Sequence, residues 1–339
     1  MGGPRGCSNA VSEADVRQAI RTYAAKLPEL RVATDGYVEL VTSVLDDAGI
    51  NYLSITGRAK SVVSFAGKAT RTVDGAPVYA DPLEDITDQI GLRVITYLRG
   101  DVEAAAQLLS DQFDVLDDRD LGQETADEGR WGYASRHLVV TTSRPPSPYE
   151  HLSGHRASVQ LRTVLQHAWA EFEHDIRYKG TIPMEHSADL DRRFTLAAGL
   201  LELADREFSA IRDRLQATSA GPHPEPDPRD PRVGTQELTT YLTSKYAEAR
   251  WSRTDHYTWI AGLLLELGIT SLDELDVLLD SVDGDEIHRR MGYTYPAGAV
   301  RRLDDALLAI FGERYVRLTG NSHRADRLDA RLQRLAGEP

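Results

Sequence analysis

Between Thr56 and Thr72 the chain reads TGRAKSVVSFAGKATRT, with Arg58, Lys60, Lys68 and Arg71 and no acidic residue. Elsewhere acid dominates: 39 Lys and Arg face 53 Asp and Glu, a net charge of −14. The local cation excess therefore runs against the whole chain. With a helix starting near Lys60, Lys60, Ser64, Lys68 and Arg71 follow at steps of four, four and three and share one face. Val62, Val63, Ala66 and Ala69 take the other side and are expected to pack on a sheet. Like charges this close repel unless an anion sits among them. A polyphosphate suits both residue types, because Arg grips phosphate as a planar fork and Lys acts as a point charge. A solvated basic face satisfies the same spacing.

A second cluster opposes the first in sign. Asp74, Asp81, Glu84, Asp85 and Asp88 precede QIGLRVITYL, whose near-continuous apolar character predicts a buried interior strand. Asp88, at the mouth of that strand, is placed to hold a magnesium ion bridging phosphate oxygens; an ordinary turn residue is the plainer reading. Two further strands carry polar residues at alternate positions. In GYASRHLVV, Tyr133, Ser135 and His137 share a face; in ASVQLRT, Ser158, Gln160 and Arg162 do, with Val159 and Leu161 opposite. A ring beside His, Gln and Arg donors suits a nucleobase, while a solvent-facing sheet gives the same pattern. The following segment, TVLQHAWAEFEHDIRYKG, sets Leu165, Trp169, Phe172 and Ile176 on one stripe and His167, Glu171, His174 and Tyr178 on another. Its order does not match a zinc-protease helix, and no zinc site is expected.

These residues need elements to hold them. Pro222, Pro224, Pro226, Pro228 and Pro231 lie between Ser219 and Gly234, a stretch that reads as an extended linker over 219–234. Before it, helical periods alternate with β-rich runs; after it, 235–339 is helical almost throughout. The expected architecture is an α/β body followed by an all-α extension. In the body, helices are expected from Ser12 towards Lys26 and over Tyr37–Ala48, Lys60–Arg71, Val102–Gln112, Thr163–Lys179 and Ala188–Ala217, with strands at Tyr52–Thr56, Ile90–Leu98, Tyr133–Thr142 and Ala157–Arg162. The long helix near 188–217 offers either core packing or a surface for homo-oligomers. In the extension, Trp259, Leu263, Leu264, Leu267, Leu272, Leu275, Leu278 and Leu279 predict a core, and Ser271 a helix cap. Arg324, Arg327, Arg331 and Arg334 read as a solvated helix face rather than an RNA site. Cys7 is the single cysteine, which excludes a disulfide framework. The acidic balance argues against general nucleic-acid binding. Without a secretory h-region or an apolar run long enough to span a bilayer, the expectation is a cytoplasmic protein with no membrane partner.

Five motifs in order are more specific than any one of them: R-x-K-S-x-x-S-x-x-x-K-x-x-R at 58–71, D-x-x-G-L-R at 88–93, G-Y-x-S-x-H at 132–137, Q-L-R-T at 160–163 and W-A-x-x-E-H-x-x-x-Y-K at 169–179. Together they resemble the synthetase domain of the RelA/SpoT family. The resemblance implies an α+β fold, a nucleotidyltransferase-like mixed sheet flanked by helices, over 35–218, after an N-terminal helical segment over 1–34. It implies ATP-dependent transfer of pyrophosphate to the 3′-hydroxyl of GTP or GDP, giving (p)ppGpp, with purine nucleotides as partners. It assigns Arg58, Lys60, Ser64, Lys68 and Arg71 to ATP, Asp88 to Mg2+, and Tyr133, Gln160, Arg162, His174 and Lys179 to the acceptor nucleotide, with His137 close to it.

One departure bears on chemistry. Two residues before Gln160 the family carries a glutamate that helps hold magnesium and is thought to activate the acceptor hydroxyl; here the residue is Ser158. Serine is neither a carboxylate base nor a good magnesium ligand. Ala134 likewise replaces a basic residue. Three readings stay open: a synthetase that uses another carboxylate such as Glu150 or Glu173, a catalytically silent nucleotide-sensing or partner-binding module, or a toxic relative that modifies an adenine nucleotide or a tRNA 3′-end.

Overall fold

A computed structural model describes residues 13–74, 76–121, 124, 135–146, 148–179, 184–218, 232–247, 249, 252, 254–292 and 297–337. Tyr133, Ala134 and the five prolines from Pro222 to Pro231 lie outside the described residues, as does the side chain of Lys179. The chain divides into two compact units built from separated segments: one from Met1–Ser43, Leu53–Thr96 and Leu109–Glu202, the other from Val44–Tyr52, Tyr97–Leu108 and Leu203–Pro339.

The first unit carries a five-stranded mixed sheet in the order β1-β4-β7-β6-β5. The strands are β1 (Tyr52–Ala59), β4 (Ile90–Thr96), β5 (Asp114–Asp120), β6 (Arg136–Thr141) and β7 (Arg156–Thr163); β2 (Thr72–Val73) and β3 (Ala76–Pro77) form a separate hairpin. β4 and β7 run parallel, and β6 is antiparallel to both β7 and β5. Ile90, Leu92 and Val94 on β4 and Ala157, Val159 and Leu161 on β7 are buried, as the alternation predicts. β5 escapes the sequence pattern because DVLDDRD is mostly charged; it sits at the sheet edge, where charge discourages further strand pairing.

Helix α1 (Glu13–Asp47) replaces the two short helices expected there and carries Pro28 inside it. Tyr23, Leu30, Ala33, Tyr37, Leu40 and Val41 are buried along one stripe, so packing outweighs the hydrogen bond that the proline removes. α1 lies close against β1: a Cβ on Gly57 would stand 2.6 Å from Val38 Cγ2 and 2.7 Å from Thr34 Cγ2, so only glycine fits. The Tyr37 hydroxyl donates to the carbonyl of His155 at 2.9 Å, tying α1 to the start of β7.

The expected helix over Lys60–Arg71 is shorter. α2 covers Val62–Ala69, with Ser61 as its cap, accepting from the Ser64 amide. Lys60 instead prolongs β1, its amide donating to the Gln89 carbonyl at 2.8 Å. The buried side of α2 is Phe65 and Ala69 rather than the valines; Val63 is 83% exposed. α4 (Arg99–Gln112), α5 (Val164–Lys179) and α6 (Met184–Thr218) follow the short α3 (Pro82–Asp85).

The second unit holds the helices of the C-terminal extension: α7 (Thr235–Lys245), α8 (Thr254–Leu267), α9 (Leu272–Asp280), α10 (Gly284–Met291), α11 (Ala299–Phe311), α12 (Glu313–Val316) and α13 (Ala325–Ala336). The leucines expected as core do cluster, joined by Leu303, Leu307, Leu308, Tyr315 and Leu328, and Ser271 caps α9. The basic run near the end is only in part a solvated face: Arg334 is exposed as expected, but Arg324 and Arg331 are not. The side chains of Arg331 and Arg324 are 2% and 11% exposed, drawn inward by Asp304.

Candidate active site

The site begins with a carboxylate between two ammonium groups. Lys60 Nζ and Lys68 Nζ each lie 2.8 Å from Asp88 Oδ2. Lys60 directly follows β1, Lys68 lies on α2 and Asp88 sits in a 3-10 turn (Thr87–Gln89), three separate elements that the fold brings together. Lys60 is held by its backbone: its amide reaches the Gln89 carbonyl, and its own carbonyl accepts the Tyr23 hydroxyl at 2.6 Å. The Tyr23 ring stacks on Phe65 at 4.0 Å between centroids. Burial, with the negative Asp88 nearby, pushes the Tyr23 hydroxyl up to about 12, so it stays a donor.

Burial pushes the Asp88 carboxyl up, but hydrogen bonds and charge from Lys60 and Lys68 outweigh it and hold the group below its usual range. Asp88 Oδ2 is occupied twice. Oδ1 is buried and has no hydrogen-bond partner. An orphaned, ionised oxygen is a fit donor for a hard cation such as Mg2+. Among the described residues no three His, Cys, Asp or Glu side chains gather as a metal cage. A cation here would therefore take Asp88 from the protein and complete its shell with phosphate oxygens and water.

Beside Asp88 opens a cavity of about 240 Å³ lined by Arg58, Arg93, Ser158 and Gln160, with Gly57 and Gly91 in its wall. Strand register explains the gathering. Arg93 on β4 stands opposite Gln160 on β7, Gln160 opposite His137 on β6, and His137 opposite Arg119 on β5. Four polar side chains thus cross the sheet in one row. One step away, Ser158 stands opposite Gly91, which leaves open space where a long side chain would otherwise project. The Ser135 hydroxyl and His137 Nε2 are 2.6 Å apart. Burial, with the positive charges of Arg162 and Arg119, pushes the His137 imidazole down to about 4, so it is neutral at physiological pH. Burial, then Arg93, also lowers Arg162.

The expected residues do not all converge. Lys60, Lys68, Asp88, Arg58, Ser158 and Gln160 meet around the carboxylate and its cavity. Ser64 is exposed and bonded to Ser61 Oγ, while Arg71 lies beyond the end of α2 and is exposed. His174 on α5 and Glu150 are exposed and Glu173 is half-buried; none of the three lines the cavity. Sequence reasoning did not assign Arg93, which lines the cavity and pairs with Glu171 at 2.9 Å. Its signal was present: in GLR it falls on the same alternation as Gly91, facing the polar positions of β7.

A family model described as "Region found in RelA / SpoT proteins" matches residues 57–182, the span of the clustered residues above. The GTP pyrophosphokinase YjbM of Bacillus subtilis (strain 168) is 31% identical over 205 residues, covering 58% of this chain and 89% of that protein. The chain belongs to the RelA/SpoT family. Solved structures similar to this RelA/SpoT chain include small alarmone synthetase 1 from Bacillus subtilis, at 25% identity and a TM-score of 0.46, covering 58% of this chain and 100% of that one. The same synthetase bound to its product pppGpp matches at 27% identity and a TM-score of 0.42, over 60% and 99%.

Proposed function

We propose that the protein transfers pyrophosphate from ATP to the 3′-hydroxyl of GTP or GDP, making (p)ppGpp through the synthetase domain at 35–218. The carrying observation is the Lys60–Asp88–Lys68 cluster, with an orphaned carboxylate oxygen at the edge of a cavity. Family membership and the GTP pyrophosphokinase relative support it.

The chain's own residues suggest the division of labour. Lys60, Lys68 and Arg58 offer the cations for the donor polyphosphate, with Ser64 and Arg71 at its outer edge. Asp88 would hold Mg2+, which when bound would supply charge neutralisation to the phosphates. Gln160, Arg93, Arg162 and His137, with Tyr133, His174 and Lys179, serve the acceptor. Neutral His137 orients by hydrogen bonding and contributes no charge. The acceptor hydroxyl attacks the β-phosphorus in line as the bond from that phosphorus to AMP breaks, AMP leaves with the bond's electron pair, and the hydroxyl proton passes to solvent water. Ser158 supplies no carboxylate to take that proton, so turnover is expected to be slow. Incubation of the purified chain with ATP, Mg2+ and GTP should yield AMP and a 3′-pyrophosphorylated guanosine nucleotide; absence of AMP at high enzyme concentration rejects the reading.

Ser158 favours a second reading, a nucleotide-sensing or partner-binding module without turnover, which ATP or (p)ppGpp binding by calorimetry with no product would select. Labelled adenine nucleotides and tRNA in the same screen test a changed acceptor. We also propose self-association through α6, where Leu196, Leu200, Leu203, Phe208 and Ile211 are 43% to 69% exposed. Light scattering of the wild type and Leu200→Glu tests this, and a monomeric wild type rejects it. No helix among the described residues is long and apolar enough to cross a membrane; a cytoplasmic location is part of the same proposal.

A further inference from the structure

Tyr23 lies on α1, outside the segment that carries the cations, and the two parts of its side chain meet different pieces of that segment. Its hydroxyl donates to the Lys60 carbonyl at 2.6 Å, a buried bond spanning 37 positions of sequence. Its ring lies flat on Phe65, with 4.0 Å between centroids and 1° between planes. Phe65 belongs to the buried side of α2, the helix that bears Lys68. Both rings are fully buried.

Lys60 depends on the first contact. It follows the last residue of β1, and α2 does not take up its carbonyl: the first turn of that helix is closed by Ser61, whose hydroxyl accepts the Ser64 amide and whose carbonyl accepts the Phe65 amide. A buried carbonyl without a donor is costly, and Tyr23 supplies the donor. On its other side the Lys60 amide reaches the carbonyl of Gln89, the neighbour of Asp88 in sequence, at 2.8 Å. The root of Lys60 is thus fixed at both peptide groups, which narrows the arc its flexible stem can sweep. Its ammonium stands 2.8 Å from Asp88 Oδ2, and that of Lys68 stands at the same distance from the same oxygen. Moving either root changes the separation of the two ammonium groups. Their mutual repulsion would widen it, whereas a polyphosphate needs both within reach.

We infer that Tyr23 is a positioning residue for the donor phosphates, its hydroxyl setting Lys60 and its ring setting the helix of Lys68. It acts through the lysines rather than on the nucleotide. The inference rests on the reading that these lysines meet ATP, and it extends the donor site to a helix outside the basic motif at 58–71.

Tyr23→Phe keeps the ring stack and removes the hydroxyl alone. By calorimetry on the full chain, ATP with Mg2+ should bind Tyr23→Phe about tenfold more weakly than the wild type, the most that one hydrogen bond transmits. The same change made in a Lys60→Met chain, where no ammonium remains to be placed, should alter ATP affinity by less than about twofold; general support of the fold would give additive losses instead. An equal loss in both backgrounds overturns the inference, as does unchanged affinity in a folded Tyr23→Phe chain. A wild type that binds no ATP overturns the donor reading itself and the positioning role with it. Should Tyr23→Phe lose its cooperative unfolding transition, Phe65→Leu, which keeps the hydroxyl and loses the stack, is read against Lys68→Met by the same criterion.

Discussion

Two clusters of cations around aspartate, one in each unit, behave oppositely. At Asp88 the two lysines share a single oxygen while the other has no partner, and the carboxylate is 32% exposed. At Asp304 both oxygens are taken, by Arg324, Arg331 and the Tyr315 hydroxyl, and the group is 2% exposed. Ammonium groups on flexible stems can leave a carboxylate for a phosphate; interlocked guanidinium forks in the interior cannot do so without unpacking. Burial and ligand choice, rather than net charge, separate a cluster that is free to exchange partners from one locked into the interior.

The comparison can be broken at either end. Removing the carboxylate in the second unit, Asp304→Ala, takes away the partner shared by two buried arginines and should destabilise that unit by roughly 3–5 kcal/mol, read by chemical denaturation; a loss below about 1 kcal/mol would mean the network braces nothing. Asp88→Ala should do the reverse. It should cut AMP release by about three orders of magnitude while stability, in the same denaturation assay, changes by less than about 1 kcal/mol. Ser158→Glu adds a carboxylate opposite Gly91, where there is room, and should raise turnover about a hundredfold, the lower end of what a general base supplies; unchanged AMP release would show that proton removal is not the defect.

The smallest effect is a pH dependence. His137 has its pKa lowered from 6.5 to about 4 in the folded chain. Below 6.5 the unfolded chain takes up a proton that the native imidazole refuses, so stability present above 6.5 declines as pH falls towards 4. Asp88, also lowered, adds a loss only at the acid end, as pH falls through its folded value. Denaturation midpoints across this window should slope for the wild type and flatten for His137→Gln; an unaltered slope would place the proton elsewhere.

Particular residues show what the sequence could reveal. The apolar run of β4 and the alternation of β7 made both strands legible, and with them Gln160, Ser158 and the strand-mouth position of Asp88, while Arg93 was hidden inside the apolar run. β5 was hidden because an acid-rich edge strand lacks apolar periodicity. Pro28 suggested a break that the buried stripe of α1 overrides. Spacing alone put Lys60 on a helix, whereas pairing with Gln89 keeps it in extended backbone. The burial of Arg324 and Arg331 was illegible for a different reason: their partner Asp304 lies on another helix, 20 and 27 positions away.

The hydroxyl of Tyr23 grips the carbonyl of Lys60 from a helix that lies wholly before the matched span of 57–182. The aim of the lysine therefore depends on a bracket that the family signature does not contain. A fragment trimmed to the signature would keep every cation around Asp88 yet lose the clamp that points one of them.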